Sequence, residues 1–270
     1  MNPLAALDAM GQLPDAELDL ANAALQFARA ELPGANWQVT RILLSIIARE
    51  AAEITAEDPA ACAEALARLL ARRWGFRGDT ETYDDLGNAN LIRVIERRRG
   101  LPVSLGILWI HAARAAGWLA SGLDFPAHFL VRLAAGGTQV VIDPFDGGRV
   151  LDASALRALL KRVAGPRAEL GPDVVRPVGN RLVLLRLQNN VKLRLEHAGD
   201  LRGALGCTER MLRVAPTAAT LWREVALLHE RLGEITASLA AWESFVALVP
   251  EGKLAAEARD TMAALRSRLN

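Results

Sequence analysis

Little in this 270-residue chain points to cross-links or bound metal: cysteine occurs twice, at Cys62 and Cys207, far apart and each on an apolar helical pattern. That pattern suits two reduced core thiols better than a disulfide framework or a zinc site. An excess of one charge sign is lacking as well. The 32 basic and 31 acidic residues leave a net charge of +1, so no global field draws the chain to a polyanion, and neither nucleic acid nor membrane is expected as a partner. No run of about 18 apolar residues occurs, as a spanning helix needs. The opening Met-Asn-Pro-Leu lacks the basic and then apolar pattern of a secretion signal, so a cytoplasmic location is expected. What is present is a globular composition, 51% hydrophobic and 23% charged, enough apolar material for two cores or for one domain with a helical extension.

From Asp15 to about Arg73 the sequence is rich in Ala and Leu at helical spacing, as in Leu18, Ala21, Leu25 and Ala28, with breaks at Pro33-Gly34 and near Asp58-Pro59. Three helices are predicted. A polar loop follows from Tyr83, leading to a helix over Asn90 to Arg99 that stops at Gly100. Ser104 to Ala116 reads as a buried helix, with Ser104 at its N-cap or in its first turn. Next come two β-rich runs, His128 to Leu133 and Gln139 to Asp143, joined by Ala-Ala-Gly-Gly-Thr, which has the chemistry of a hairpin loop. Asp152 to Val163 is a further helix.

Pro and Gly are densest between Gly165 and Gly179, which predicts a linker over 165–180. The reading is then a domain over 1–164, helical over 1–80 with a core of helix and hairpin over 81–164, and a helical region over 181–270. That last region repeats itself. Gly199 and Gly233, Ala204 and Ser238, Leu205 and Leu239, and Pro216 and Pro250 are each 34 residues apart, and the pattern resembles the tetratricopeptide repeat. Two copies are fewer than the roughly three such arrays need, so the repeats are expected to pack on the preceding domain, with Leu254 to Leu269 as a capping helix.

A papain-type acyl-transfer site needs a nucleophile at a helix N-terminus, where unpaired N–H groups help hold a developing anion. It also needs an imidazole to take the nucleophile's proton and a carboxylate or amide to fix the imidazole's tautomer. Ser104 opens the buried helix, His128 begins one strand and Asp143 ends its hairpin partner, so pairing would bring the last two side by side. Asn88, just ahead of the helix, is a candidate oxyanion donor.

The strings that carry these residues are Asn88, then Leu91-Ile-Arg-Val-Ile-Glu-Arg-Arg-Arg-Gly-Leu-Pro-Val-Ser-Leu105, then Pro126-Ala-His-Phe-Leu-Val131, then Ile142-Asp-Pro-Phe-Asp-Gly-Gly148. Together they resemble the core of the SirB-type transglutaminase-like family, and the resemblance runs from about residue 15 to 270. It implies an α+β fold: a papain/transglutaminase-like domain with a helical N-terminal segment, followed by all-α tetratricopeptide-like repeats. In the wider superfamily the order Cys, His, Asp falls on helix, strand, strand, which maps onto Ser104, His128 and Asp143.

The nucleophile position is where the sequence departs from that superfamily. A thiol with a pKa near ~8.5 forms a thiolate beside an imidazolium, whereas a hydroxyl must lose its proton during attack. Two readings follow. One is a non-catalytic or weakly catalytic protein that binds a protein or peptide through the repeat groove and the old cleft, with Ser104 an N-cap and His128–Asp143 a relict. The other is a serine-dependent amidase, peptidase or acyltransferase using Ser104, His128 and Asp143. No cofactor or metal is implied by either. His111 lies seven residues along the helix, about 10.5 Å from Ser104, too far to be its base. His197 and His229 have no second ligand nearby in sequence. Arg93, Arg97, Arg98 and Arg99 suit a helix C-terminus, and Asp84, Asp85, Asp124 and Asp146 read as turn formers.

Overall fold

The computed structural model describes residues 2–269. Its helices are α1 (Pro3–Gly11), α2 (Leu20–Glu31), α3 (Trp37–Ala52), α4 (Pro59–Ala67), α5 (Leu91–Arg97), α6 (Pro102–Ala115), α7 (Ala153–Ala164), α8 (Asn180–His197), α9 (Leu201–Val214), α10 (Ala219–Arg231), α11 (Ile235–Leu248) and α12 (Lys253–Ser267). Strands are β1 (Arg77–Gly78), β2 (Arg99–Gly100), β3 (Leu119–Leu123), β4 (Leu130–Ala135), β5 (Thr138–Asp143), β6 (Arg149–Leu151) and β7 (Pro177–Val178). These elements form two compact units. One runs Pro14–Leu187; the other joins the residues up to Leu13 to those from Gln188 onward.

In the first unit the three helices expected after Asp15 are α2, α3 and α4. Side chains of Asp19 and Asp58 cap the first and last by accepting from Asn22 N and Ala61 N, each satisfying one orphan N–H of a first turn. At the centre lies α6, starting with Pro102 and buried along nearly its whole length from Pro102 to Ala113. A helix apolar on all sides has to be surrounded, and α2, α3, α4 and α5 together with the sheet enclose it. Gly106 makes the closest approach possible: a Cβ there would lie 2.3 Å from the Phe129 ring.

The main sheet has the order β6-β5-β4-β3-β7, with every pairing antiparallel. The expected hairpin is β4–β5, in register Val131 to Ile142 and Ala135 to Thr138. Gly136 and Gly137 turn it with φ of 57° and 83°, values that favour glycine. Helix α7 packs on the sheet through Leu156, Leu159 and Leu160 against Leu123, Phe125, Leu130 and Leu151.

Two boundaries fall differently from those read off the sequence. The run over 165–180 is not a free linker: Leu170, Val174 and Val175 pack against the α7 cluster, β7 pairs with β3, and Asp15 caps α8 by accepting from Asn180 N at 2.8 Å and Arg181 N at 2.7 Å. The division between units falls instead after Leu187, within α8. At the other end, α1 belongs with the repeats, packed on α9.

In that second unit α9 to α12 follow as successive helices, and the matching glycines Gly199 and Gly233 take φ of 78° and 77° at equivalent turns. Ser238 Oγ donates to Ala226 O at 2.9 Å, joining α11 to α10, and Trp222 Nε1 donates to Pro216 O at 2.9 Å, tying α10 to the turn that precedes it. Cys207 is buried against Gln188.

Candidate active site

Ser104 is the third residue of α6, and the N-cap is Leu101, whose side chain makes no cap. Of the two expected placements, N-cap or first turn, Ser104 takes the first turn and does not cap the helix. Its hydroxyl is fully buried and donates backward to Leu101 O at 3.0 Å and across to Asn88 O at 2.7 Å. One proton shared between two carbonyls ties the start of α6 to the loop before α5. No hydrogen bond joins Ser104 to His128. Gly100 lies directly over the hydroxyl, where an added Cβ would come within 2.5 Å of Oγ.

His128 and Asp143 do meet. His128 sits two residues before β4, and its Nε2 lies 3.0 Å and 2.9 Å from the two carboxylate oxygens at the end of β5. Nε2 then carries the proton, which makes Nδ1 the acceptor. Asp143 Oδ1 also accepts from Phe145 N at 3.0 Å and Asp146 N at 3.4 Å, so the carboxylate is fixed by the turn that follows it. Phe145 stands edge-on to His128 with ring centroids 6.1 Å apart, and edge-on to Tyr83 at 6.0 Å. The pair lines a cavity of about 530 Å³ whose other walls include Thr80, Arg149, Leu159 and Arg162; Ser104 does not line it.

Asn88 is spent elsewhere. Its Nδ2 donates to Thr82 O at 2.7 Å and to Tyr83 O at 3.4 Å, while its own carbonyl takes the Ser104 proton, so its side chain holds the 82–88 loop rather than facing an oxyanion. His111 Nε2 meets Leu44 O at 3.1 Å and braces α6 on α3. His229 Nδ1 pairs with Glu234 at 2.7 Å in the repeat unit. Among the described residues no cluster of three His, Cys, Asp or Glu is placed to hold a metal ion, and no helix is long and apolar enough to cross a membrane. The Cys62 thiol is pushed up to about 11 by burial, a state in which it is inert.

Two residues that support this region carried no signal in the sequence. Arg186 of α8 donates through Nη2 to Phe125 O at 2.6 Å and to His128 O, and its guanidinium stacks over Phe129 at 5.7 Å. Between those carbonyls Ala127 adopts φ of 51°, a left-handed conformation that costs a non-glycine residue roughly 1 kcal/mol or more. Asp79, with no exposed surface, accepts from Glu81 N, Thr82 N, Thr82 Oγ1 and Arg97 Nη2 at 2.7–3.1 Å. Burial would raise its pKa; hydrogen bonds from Thr82, Asn88 and Glu81 outweigh that and hold it at about 2.

Ser104 thus lies in the first turn of α6, His128 in the loop just before β4 and Asp143 at the end of β5. The family model described as the transglutaminase-like superfamily matches residues 38–189, and the tetratricopeptide repeat model matches 191–270. The chain belongs to the SirB-type transglutaminase-like family. Similar proteins include a UPF0162 protein of Xylella fastidiosa strain Temecula1, 33% identical over 192 residues covering 69% of this chain and 67% of the relative. Another UPF0162 protein, from Xylella fastidiosa strain 9a5c, is 32% identical over 233 residues, covering 84% and 82%. Protein SirB1 of Salmonella typhimurium is 27% identical over 220 residues, covering 77% of each chain. This transglutaminase-like chain keeps the imidazole–carboxylate pair facing a cavity, while the hydroxyl at the nucleophile position is turned inward.

Proposed function

We propose that this transglutaminase-like protein works by binding other proteins, through its tetratricopeptide repeats and its cleft, and that its Ser104 is a structural residue. The carrying observation is the destination of one proton: the Ser104 hydroxyl is bonded to two main-chain carbonyls and shielded from the cavity lined by His128 and Asp143. A nucleophile needs a base within hydrogen-bond reach and a path for the electrophile. Ser104 has neither in this arrangement. Tetratricopeptide repeats in general mediate contacts between proteins, which supports the binding half of the proposal.

The test is labelling with a fluorophosphonate probe. The expected result is that the native chain stays unlabelled under conditions that label a serine hydrolase; labelling that disappears in Ser104→Ala would overturn the proposal. A second measurement comes from Ser104→Cys. With Cys62 and Cys207 both buried, an introduced thiol at 104 should react with iodoacetamide slowly and without an acid-shifted rate profile.

The second reading, a serine-dependent amidase, peptidase or acyltransferase, is favoured by one observation: the His128–Asp143 pair holds the tautomer that leaves Nδ1 as a base. In that reading Ser104 attacks a carboxamide carbon, His128 takes its proton and passes it to the leaving amine, and Asp143 orients the ring. It requires Ser104 to exchange its carbonyl partners for His128 first.

A further inference from the structure

One wall of the cavity of about 530 Å³ beside His128 is a single face of α7. Ala155, Ala158, Leu159, Arg162 and Val163 line it, at the spacing of one helical stripe. The two alanines leave the space open, Leu159 and Val163 make the wall apolar, and Arg162 adds a cation near the end of the helix. The remaining wall includes His128, Asp143, Asp146 and Arg149.

Two groups in that wall lack a partner. Asp143 is held by His128 at 2.9 Å and Asp146 by Arg149 at 3.2 Å, so each acid is matched inside the site. Arg162 meets no carboxylate or carbonyl among the described residues. His128 has given its Nε2 proton to Asp143, which leaves Nδ1 an acceptor, and no described residue donates to it. The imidazole is 13% exposed and lines the cavity.

These unmet groups describe a ligand: a hydrogen-bond donor for Nδ1, an anion for Arg162 and an apolar body for the α7 stripe. The volume lies in the range of sites that enclose small groups. We infer that the cavity captures the C-terminus of a partner protein ending in an aliphatic residue. The terminal carboxylate pairs with Arg162, the last amide N–H donates to His128 Nδ1, and the side chain lies against Ala155, Leu159 and Val163. An internal peptide segment offers the donor and the side chain but no anion, and an acidic side chain offers the anion without the apolar body. Capture of a terminal carboxylate is an established way for a protein to read a peptide end. The inference deepens the protein-binding reading and rests on it, by naming what the cleft holds. Labelling at Ser104 reads chemistry, whereas end-specific capture is read by binding, so either can fail alone.

The experiment uses the full chain and the probe acetyl-Ala-Ala-Leu with a free carboxylate, titrated while the ring nitrogens of His128 are followed in long-range proton–nitrogen spectra. The probe should bind saturably and move the His128 Nδ1 resonance. Its C-terminal amide should bind about tenfold more weakly, having lost the charge-assisted bond to Arg162. In Arg162→Gln, an exposed position, acid and amide should bind alike. Ala158→Trp, also at an exposed position, fills the cavity and should abolish binding of both. Acetyl-leucine carries the same three groups without the upstream chain and should bind more weakly than the tripeptide. Equal affinity of acid and amide in the wild-type chain, or discrimination that survives Arg162→Gln, would overturn the inference and leave the protein-binding reading standing. A free acid that does not bind would overturn it too, and acetyl-leucine binding as tightly as the tripeptide would replace the protein partner by a small acylated amino acid.

Discussion

Asp79 is as heavily hydrogen-bonded as Asp143 of the expected triad, and no feature of the sequence singles it out. Its partners Thr82 and Glu81 are local, while Arg97 is reached only through the fold, and a single Asp in a loop has no spacing to betray it. Ser104, His128 and Asp143 were legible because each sits in a distinctive local string. What those strings could not convey is where the Ser104 proton goes, since both acceptors are main-chain carbonyls placed by tertiary packing. Removing the charge at Asp79 should be costly: Asp79→Asn is expected to lower stability by about 2–3 kcal/mol at pH 7, measured by urea unfolding. The pH dependence follows from the direction of the shift. The folded pKa of about 2 lies below the ordinary value of 3.8, so the stabilisation is complete above pH 4 and drains away as pH falls toward 2. The wild-type chain should lose stability more steeply across that window than Asp79→Asn does. Arg186 is a second case, an ordinary helical arginine by sequence whose acceptors are the carbonyls of Phe125 and His128. Arg186→Met should free the left-handed Ala127 and mix the tautomers of His128, read as loss of the single Nε2–H pattern in long-range proton–nitrogen spectra.

At the scale of elements, helical periodicity gave α2, α3, α4, α6 and α7, and loop chemistry gave the β4–β5 hairpin. The short strands were not legible, for reasons that differ. β3 contains Gly122, β6 has three residues, and β7 begins with Pro177; each exists because a neighbouring strand offers partners. The helix predicted to stop at Gly100 ends earlier, because Arg98 takes φ of 57° and its guanidinium stacks over Trp74 and Phe76 at 5.1 Å and 5.0 Å. Arg99 and Gly100 are then released to pair with β1. Packing also reverses a propensity rule in α6. Replacing a helical glycine by alanine ordinarily gains up to about 1 kcal/mol, yet Gly106→Ala should destabilise by about 2 kcal/mol, because the new methyl meets Phe129. A fall in thermal midpoint would bear this out, and a rise would refute the close packing described for that ring.

Across the whole molecule, the 34-residue spacing announced the repeats, and the family matches divide the chain near residue 190. The sequence did not announce that a helix at the far end of the chain completes the repeat unit, since nine residues with a low apolar contrast give no lasting period. A fragment covering residues 180–270 lacks that helix and should expose the apolar face of α9. It should melt at a lower temperature than the corresponding part of the full chain, and the peptide of residues 2–13 added in trans should raise its midpoint in proportion to peptide concentration. A midpoint indifferent to the peptide would mean that the repeats are self-sufficient.

The closeness of Gly100 to the Ser104 hydroxyl limits the size of the atom that can stand there. Oxygen fits between the Gly100 backbone and the Asn88 carbonyl; a sulfur atom there would be too wide for the 2.7 Å contact that oxygen makes. Ser104→Cys alone is therefore not expected to place a reactive thiol in the cavity lined by His128 and Asp143. A thiol at 104 would need the loop before α5, which carries the Asn88 carbonyl, to move first.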